Sequence, residues 1–102
     1  MATIQNSTEV RKTVVFARWM DGLRDIQARA RVQVRIERLA GGHAGDVKPV
    51  GDGVIELRID YGPGYRVYFT RQSRSVVILL AGGDKRTQAL DIKAARRLAR
   101  NL

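Results

Sequence analysis

The stretch VIELRIDYGPGYRVYFT, residues 54–70, decides the fold. Apolar and polar residues alternate in its first half, and this period of two predicts a strand over residues 54–60. The turn sequence Gly-Pro-Gly follows at 62–64, and the resumed alternation predicts a second strand over residues 65–70. We therefore expect an antiparallel hairpin with one apolar face, which helices must cover, and one polar face that stays open.

The same alternation predicts the register of this hairpin. With Tyr61 facing Tyr65 across a three-residue loop, Ile59 pairs with Val67 on the apolar face. A slip by one residue would place Arg66 opposite Ile59 and mix the two faces, so the pattern favours the first arrangement. On the polar face this register gives the pairs Asp60–Arg66, Arg58–Tyr68 and Glu56–Thr70.

Residues 28–36, ARARVQVRI, fit two secondary structures. Their alternation is typical of a strand, yet Ala28, Val32 and Ile36 also fall on one face of a helix. A strand over residues 25–40 would be about three times the usual length, and Gly41-Gly42 supplies a helix stop. The segment is therefore predicted as a helix.

The remaining elements follow from caps and periodicity. Thr13 is a good N-cap for a short helix with apolar residues at 16, 19, 20 and 23, and Asp25 can cap the next helix. Residues 8–12 and 75–81 have strand character, whereas the Gly-rich segment 41–53 is expected to be a loop. Residues 87–102 predict a C-terminal helix whose apolar face carries Ile92, Ala95, Ala99 and Leu102.

These elements predict one α+β domain over residues 1–102. Its antiparallel sheet combines the first strand with a three-strand meander, two N-terminal helices cover one face, and a third helix ends the chain. The chain has no cysteine, no apolar run long enough to span a membrane, and no leader-like segment in residues 1–12. We expect a cytoplasmic protein without a membrane partner.

Charge is the strongest indicator of function. The chain carries 19 basic and 10 acidic residues, a net charge of +9. Such a field attracts polyanions, so a nucleic acid is the favoured partner and an acidic protein is the alternative. The single histidine, His43, lies in the Gly-rich loop, and no metal-ligand spacing or cofactor motif is present. We therefore expect no metal and no cofactor.

The polar face of the hairpin has the chemistry for holding a phosphate. Arginine stabilises a charged phosphorane by bidentate contacts, and Arg58 and Arg66 lie there with Lys85 and Arg86 close in the following loop. Tyrosine rings stack on unpaired bases, which makes Tyr61, Tyr65 and Tyr68 candidates for binding RNA. Arg58 has a second interpretation, since Glu56 and Asp60 on the same strand can neutralise it.

An ordered set of motifs over residues 13–99 resembles the RelE/ParE toxin superfamily, in particular its HigB-like "addiction module killer protein" branch. The motifs are Phe16-x-x-Trp19, Arg35-x-x-Arg38-Leu39, Gly45-Asp46-x-Lys48, residues 50–54, residues 56–68, residues 82–88 and Asp91-Ile92.

The resemblance implies a RelE-like fold and the toxin of a type II toxin–antitoxin system. Such a toxin is a metal-independent mRNA endoribonuclease, free or ribosome-dependent, that inhibits translation and growth until an antitoxin neutralises it. The implied antitoxin is a helix-turn-helix, HigA-like protein encoded next to the toxin. By the same resemblance Arg66 contacts the scissile phosphate, and Lys85 or Arg86 assists it.

The sequence departs from the family at two places. Paired lysines of ribosome-dependent relatives are replaced by Val54 and Glu56, with Lys48 upstream, and a C-terminal tyrosine or histidine is replaced by Gln88, Leu90 and Asp91. The resemblance therefore identifies no general acid or base, and Glu56 is a candidate base if the arginines tune its pKa. The sequence predicts catalytic roles for Arg66, Arg58, Lys85 and Glu56, and RNA contacts for Tyr65, Tyr68, Lys48, Arg86 and Gln88.

Two other functions fit the same sequence. One is a non-enzymatic inhibitor of DNA gyrase of the ParE kind, and the other is an RNA-binding domain without cleavage. The two arginines on the polar face favour RNA cleavage over both.

Overall fold

A computed structural model describes residues 8–102 of the protein, which form a five-stranded mixed sheet with helices on both faces. The strands are β1 (Glu9–Lys12), β2 (Val47–Gly51), β3 (Val54–Ile59), β4 (Tyr65–Ser73) and β5 (Val76–Asp84), in the order β1-β5-β4-β3-β2. The helices are α1 (Val14–Gly22), α2 (Ile26–Ala40) and α3 (Gln88–Arg100), and a 3-10 turn at Lys85–Thr87 leads into α3.

Several predictions about the elements are confirmed. β3, β4 and β5 are consecutive antiparallel strands, and residues 28–36 lie within the helix α2. The predicted caps are also present: the Thr13 hydroxyl accepts a hydrogen bond from the Phe16 N–H, and the Asp25 carboxylate accepts from the N–H groups of Gln27 and Ala28. The prediction of no leader concerns residues 1–12, of which 1–7 lie outside the described residues. Within residues 8–102, none of the helices combines the length and the apolar composition needed to cross a bilayer.

The predicted sheet is wrong in two respects, the direction of its first strand and the number of its strands. β1 pairs in parallel with β5, which is not its neighbour in the chain, so the alternation within each strand gives no information about their relative direction. The segment 47–51, expected to be loop, forms the edge strand β2 against β3. Pro49 lacks an N–H donor, and a proline argues against a strand in a sequence-based prediction. It is nevertheless tolerated in a strand at the edge of a sheet.

The hairpin register differs by two residues from the predicted one. Ile59 pairs with Tyr65, so Arg58 faces Arg66 and Glu56 faces Tyr68. The loop spans residues 60–64 and closes through hydrogen bonds from the Tyr61 N–H to the Ile59 carbonyl and from the Gly64 N–H to the Tyr61 carbonyl. A shift of two residues keeps every side chain on its predicted face, and for that reason the alternating pattern did not detect it.

Each face of the sheet carries its own hydrophobic core. On one face α1 and α2 bury Phe16, Val32 and Leu39 against Leu57 and Phe69. On the other face α3 buries Ala95, together with Ile92, Leu98 and Ala99, against a cluster formed by Val54, Tyr68, Ile78, Leu80 and Ala81. The expectation that this second face stays open is therefore wrong. Leu102, predicted for the apolar face of α3, lies beyond its end and is exposed, and Leu98 packs there instead.

Gly82 in β5 allows α1 to pack closely on the sheet. A Cβ atom at Gly82 would lie 2.1 Å from Cε3 of Trp19, a distance that no side chain can adopt without displacement. We expect Gly82→Ala to lower the free energy of unfolding by about 1–3 kcal/mol, the usual cost of overpacking. Gly22→Ala is the matched control, because nothing lies within 4 Å of its added Cβ and alanine favours the helix. Urea unfolding of both variants measures the difference, and equal stabilities would contradict this packing.

Candidate functional site

A cleft of about 380 Å³ opens beside the β3–β4 hairpin loop. The start of the 3-10 turn forms another part of its wall. The lining consists of three cationic side chains, two carboxylates and the hairpin backbone: Arg58, Arg66, Lys85, Asp46, Asp60, Ile59 and residues 62–64. The cleft therefore combines positive charge with carboxylates that are open to solvent.

A fully buried carboxylate lies behind two of these arginines. Glu56 accepts hydrogen bonds from Arg58 Nε at 2.9 Å, from the Tyr68 hydroxyl at 3.1 Å and from Gln88 Nε2 at 2.8 Å. Arg66 Nε lies 3.9 Å from the same carboxylate. Since Arg58 and Arg66 face each other across β3 and β4, the negative charge of Glu56 offsets their mutual repulsion.

Arg66 is held more tightly than a surface arginine. Its side chain is only 13% exposed, and Nη1 donates to the carbonyls of Gly64 at 3.0 Å and Tyr65 at 3.3 Å. Its Nε is buried and has no hydrogen-bond partner within residues 8–102. The sequence-based expectation that Arg66 stands on an open surface is therefore wrong: the side chain is largely buried, it hydrogen-bonds to the backbone of the hairpin, and it lines the cleft.

The environment of Glu56 does not suit the general base that the sequence suggested. Burial alone would raise the pKa of Glu56, but the hydrogen bonds from Gln88, Arg58 and Tyr68 hold it below its usual value. The carboxylate thus stays ionised, with its oxygens engaged and closed to solvent. Burial beside this carboxylate also raises the pKa of Tyr68. Glu56 is placed to orient the arginines, not to take a proton from a substrate.

The tyrosines predicted to stack on RNA bases are turned into the protein. Tyr68 is fully buried beneath α3. Tyr65 lies on the opposite face of the sheet from Arg66. Its ring centroid is 6.3 Å from that of Trp19, in an edge arrangement, and 6.5 Å from that of the stacked Tyr61 ring. The Cζ atom of Arg31 lies over the Tyr61 ring, 4.5 Å from the ring centroid. Tyr61 and Tyr65 are only partly buried, but neither ring lines the cleft.

The other predicted residues divide into those near the cleft and those away from it. Lys85 lines the cleft, whereas the exposed Arg86 forms an ion pair with Asp84 at 3.1 Å and does not line it. Lys48 is exposed on β2, cross-strand from Glu56. Gln88 points inward and donates a hydrogen bond to the Glu56 carboxylate.

Sequence reasoning missed the two carboxylates of the cleft. Asp46 appeared only as part of a motif, and Asp60 was expected to neutralise an arginine. Asp91 is a third acidic group nearby: its carboxyl lies against Gly83, which pairs with Arg66, and burial raises its pKa. A signal for Asp60 was available, since it lies two residues after Arg58 in the sequence. Asp46 lies beside Arg58 only because β2, which the sequence did not predict, pairs with β3. Among residues 8–102 no group of three or more His, Asp and Glu side chains is arranged to hold a metal ion.

The fold and this site define a small basic α+β domain with a cleft lined by two arginines and a lysine. The chain belongs to the phage-derived Gp49-like protein family (DUF891), whose model matches residues 18–102. This family is part of the RelE/HigB-like toxin superfamily, in agreement with the resemblance of the motifs. An uncharacterized protein of Haemophilus influenzae is 49% identical over 94 residues, which cover 92% of this chain and 95% of the relative.

The lowered pKa of Glu56 has a consequence for stability. A carboxyl whose pKa is depressed by folding stabilises the folded state above its unfolded pKa, near 4.5, and this contribution is lost as the pH falls through the folded value. We expect Glu56→Gln to be less stable than the wild type by about 1–3 kcal/mol near pH 7, with a smaller further loss on acidification. Urea unfolding at about pH 7 and about pH 3 measures both effects.

The exposed Glu37 supplies the matched control, and Glu37→Gln should follow the wild type at both pH values. If Glu56→Gln were as stable as the wild type near neutral pH, the carboxylate would not anchor the arginines as described.

Proposed function

We propose that the protein is the toxin of a type II toxin–antitoxin pair of the HigB-like kind and that it cleaves mRNA in the cytoplasm without a metal ion. The observation that carries the proposal is the placement of Arg58 and Arg66 on adjacent strands, both beside the buried Glu56 and both lining one cleft. Lys85 adds a third cation to the same cleft.

This arrangement favours a phosphate group as the ligand. Two guanidinium groups facing each other repel, and one carboxylate neutralises only one of the two charges, so a bound anion completes the balance. In the cleavage step the negative charge on the phosphorane grows, and preorganised arginines stabilise it most at that point. Anchoring to Glu56 and to the carbonyls of Gly64 and Tyr65 keeps both groups in place before the substrate arrives.

Proton transfer is assigned to groups that reach solvent within the cleft. The 2′-oxygen attacks the phosphorus and passes its proton to a carboxylate, Asp46 or Asp60, while the bond to the 5′-oxygen breaks. The leaving 5′-oxygen takes a proton from Lys85. The products are a 2′,3′-cyclic phosphate and a free 5′-hydroxyl. This assignment replaces Glu56, whose oxygens are occupied.

The proposed partners are mRNA, on or off the ribosome, and an antitoxin of the helix-turn-helix, HigA-like type. The net charge of +9 favours an antitoxin with an acidic contact surface, because opposite charges accelerate association.

One observation favours a second candidate, a ParE-like inhibitor of DNA gyrase. Of the tyrosine rings that would read RNA bases, Tyr68 is buried and Tyr61 and Tyr65 are partly buried and stack on each other, so none of them lines the cleft as a base-stacking platform. A protein that only binds an acidic surface of gyrase needs no such platform. Direct assay of RNA cleavage separates the two functions.

Arg66→Ala tests the nuclease. Loss of one contact to the developing charge should slow RNA cleavage by roughly 10²–10³-fold and relieve growth inhibition. Arg66→Lys, which keeps the charge but loses the planar fork, should be intermediate. Cleavage of a defined mRNA by the purified proteins and growth after induction measure the effect. Arg74→Ala in the β4–β5 turn is the control, because Arg74 is exposed and outside the cleft.

The melting temperature of Arg66→Ala must be measured alongside, since each hydrogen bond from its charged guanidinium to the hairpin backbone can contribute about 1.5–3 kcal/mol to folding. A folded Arg66→Ala protein that stays fully toxic would overturn the nuclease. Toxicity of the wild type without any RNA cleavage would instead support the gyrase inhibitor.

The cleft carboxylates are tested separately. Removal of the proton acceptor should lower the cleavage rate by about 10²–10⁴-fold and remove the acidic limb of the pH–rate profile. We expect one of the two variants, Asp46→Asn or Asp60→Asn, to show this lower rate and this change in the pH–rate profile. Asp21→Asn on the exposed end of α1 serves as the control. Unchanged profiles in both cleft variants would show that the acceptor is another group.

A further inference from the structure

A second groove, of about 550 Å³, runs along the outer face of α2 beside the end of β3. Its apolar part is a stripe of Ile26, Ala30 and Val34, spaced four residues apart along about 12 Å of helix. Ile26 is 80% exposed and Val34 is 44% exposed. The core of the protein uses a different stripe of α2, which contains Val32 and Ile36. The outer apolar stripe therefore has no role in the fold of residues 8–102.

Positive charge borders this stripe. Arg31, Arg35 and Arg38 line the groove, and within residues 8–102 none of them forms an ion pair. Arg35 donates to the carbonyls of Arg58 and Ala44, and Arg31 lies over the Tyr61 ring, so both guanidinium groups are held in place without a carboxylate. The groove contains a single acidic residue, Asp60.

We propose that the α2 groove binds an acidic amphipathic helical segment of a partner protein. An apolar stripe at four-residue spacing matches the apolar side of a helix laid along the groove, and the arginines match acidic residues on its flanks. A nucleic-acid strand fits less well, since it would place phosphates against Ile26 and Val34. The partner's identity as the antitoxin rests on the proposed function.

The groove also lies next to the cleft. Ile59 and Asp60 line both of them, and Arg35 hydrogen-bonds to the backbone of Arg58. A partner helix in the groove therefore extends to the rim of the cleft, where it obstructs a long RNA strand without entering the phosphate site.

The test uses the full chain and, as the probe, a synthetic acidic peptide that forms an amphipathic helix with apolar residues four positions apart. Val34→Glu and Arg38→Glu should each weaken binding at least tenfold, by calorimetry, because one places a charge in the apolar stripe and the other reverses a flanking charge. Two matched controls should bind as the wild type does: Val15→Glu, 46% exposed on α1, and Arg29→Glu, exposed on α2 outside the groove. Melting temperatures and RNA cleavage should be unchanged in all four variants.

Three results would each overturn the docking proposal. The first is failure of the probe to bind the wild type, and the second is equal binding by Val34→Glu. The third is protection of the α2 amides from hydrogen exchange by a single-stranded RNA oligonucleotide and not by the probe. RNA cleavage by the wild type decides the proposed function independently, so the two proposals can fail separately.

Discussion

The structure depends on one buried charge, the carboxylate of Glu56. An ionised carboxyl group away from water is strongly unfavourable unless donors surround it. Here the donors come from three elements: Arg58 on its own strand, Tyr68 on β4 and Gln88 at the start of α3. Because the buried Glu56 carboxylate needs hydrogen-bond donors from both β4 and α3, it couples the β3–β4 register to the packing of α3. It also explains how two arginines come to face each other inside a fold with a net charge of +9.

The sequence predicted the two faces of the hairpin but not its register, and the reason is geometric. Alternation distinguishes odd from even positions, so registers that differ by two residues bury the same side chains. The choice between them is made by contacts outside the two strands. Tyr61 stacks on Tyr65 beneath Arg31, and Gly62 and Gly64 adopt positive φ angles of 56° and 80° to close the longer loop. None of these contacts appears in the pattern of strand residues.

The sequence predicted only part of the candidate site, and the reason is related. Arg58, Arg66 and Lys85 meet at one cleft because the strands alone bring them together. Glu56, Tyr68 and Gln88 were placed on an open surface because nothing in a local pattern states where a C-terminal helix packs. A clue existed in α3, whose small residues Ala95 and Ala99 suit close packing on a sheet. That clue indicates a covered surface, yet only the tertiary structure identifies which face is covered.

The two proposals together assign a reactive cleft and a docking site for an inhibitor to one small domain. Each is positively charged, but they differ in what accompanies the charge: backbone and carboxylates in the cleft, an apolar stripe in the α2 groove. Contact with Val34 adds little to the affinity for a phosphate ligand. The cleft, whose guanidinium groups are positioned for an anion, adds little to the affinity for the apolar side of a helix. The shared residues Ile59 and Asp60 then connect the two sites. A protein bound at the groove inhibits RNA cleavage if it extends as far as these two shared residues and obstructs the RNA there. The cleft and the docking surface can therefore each be adapted to its own ligand.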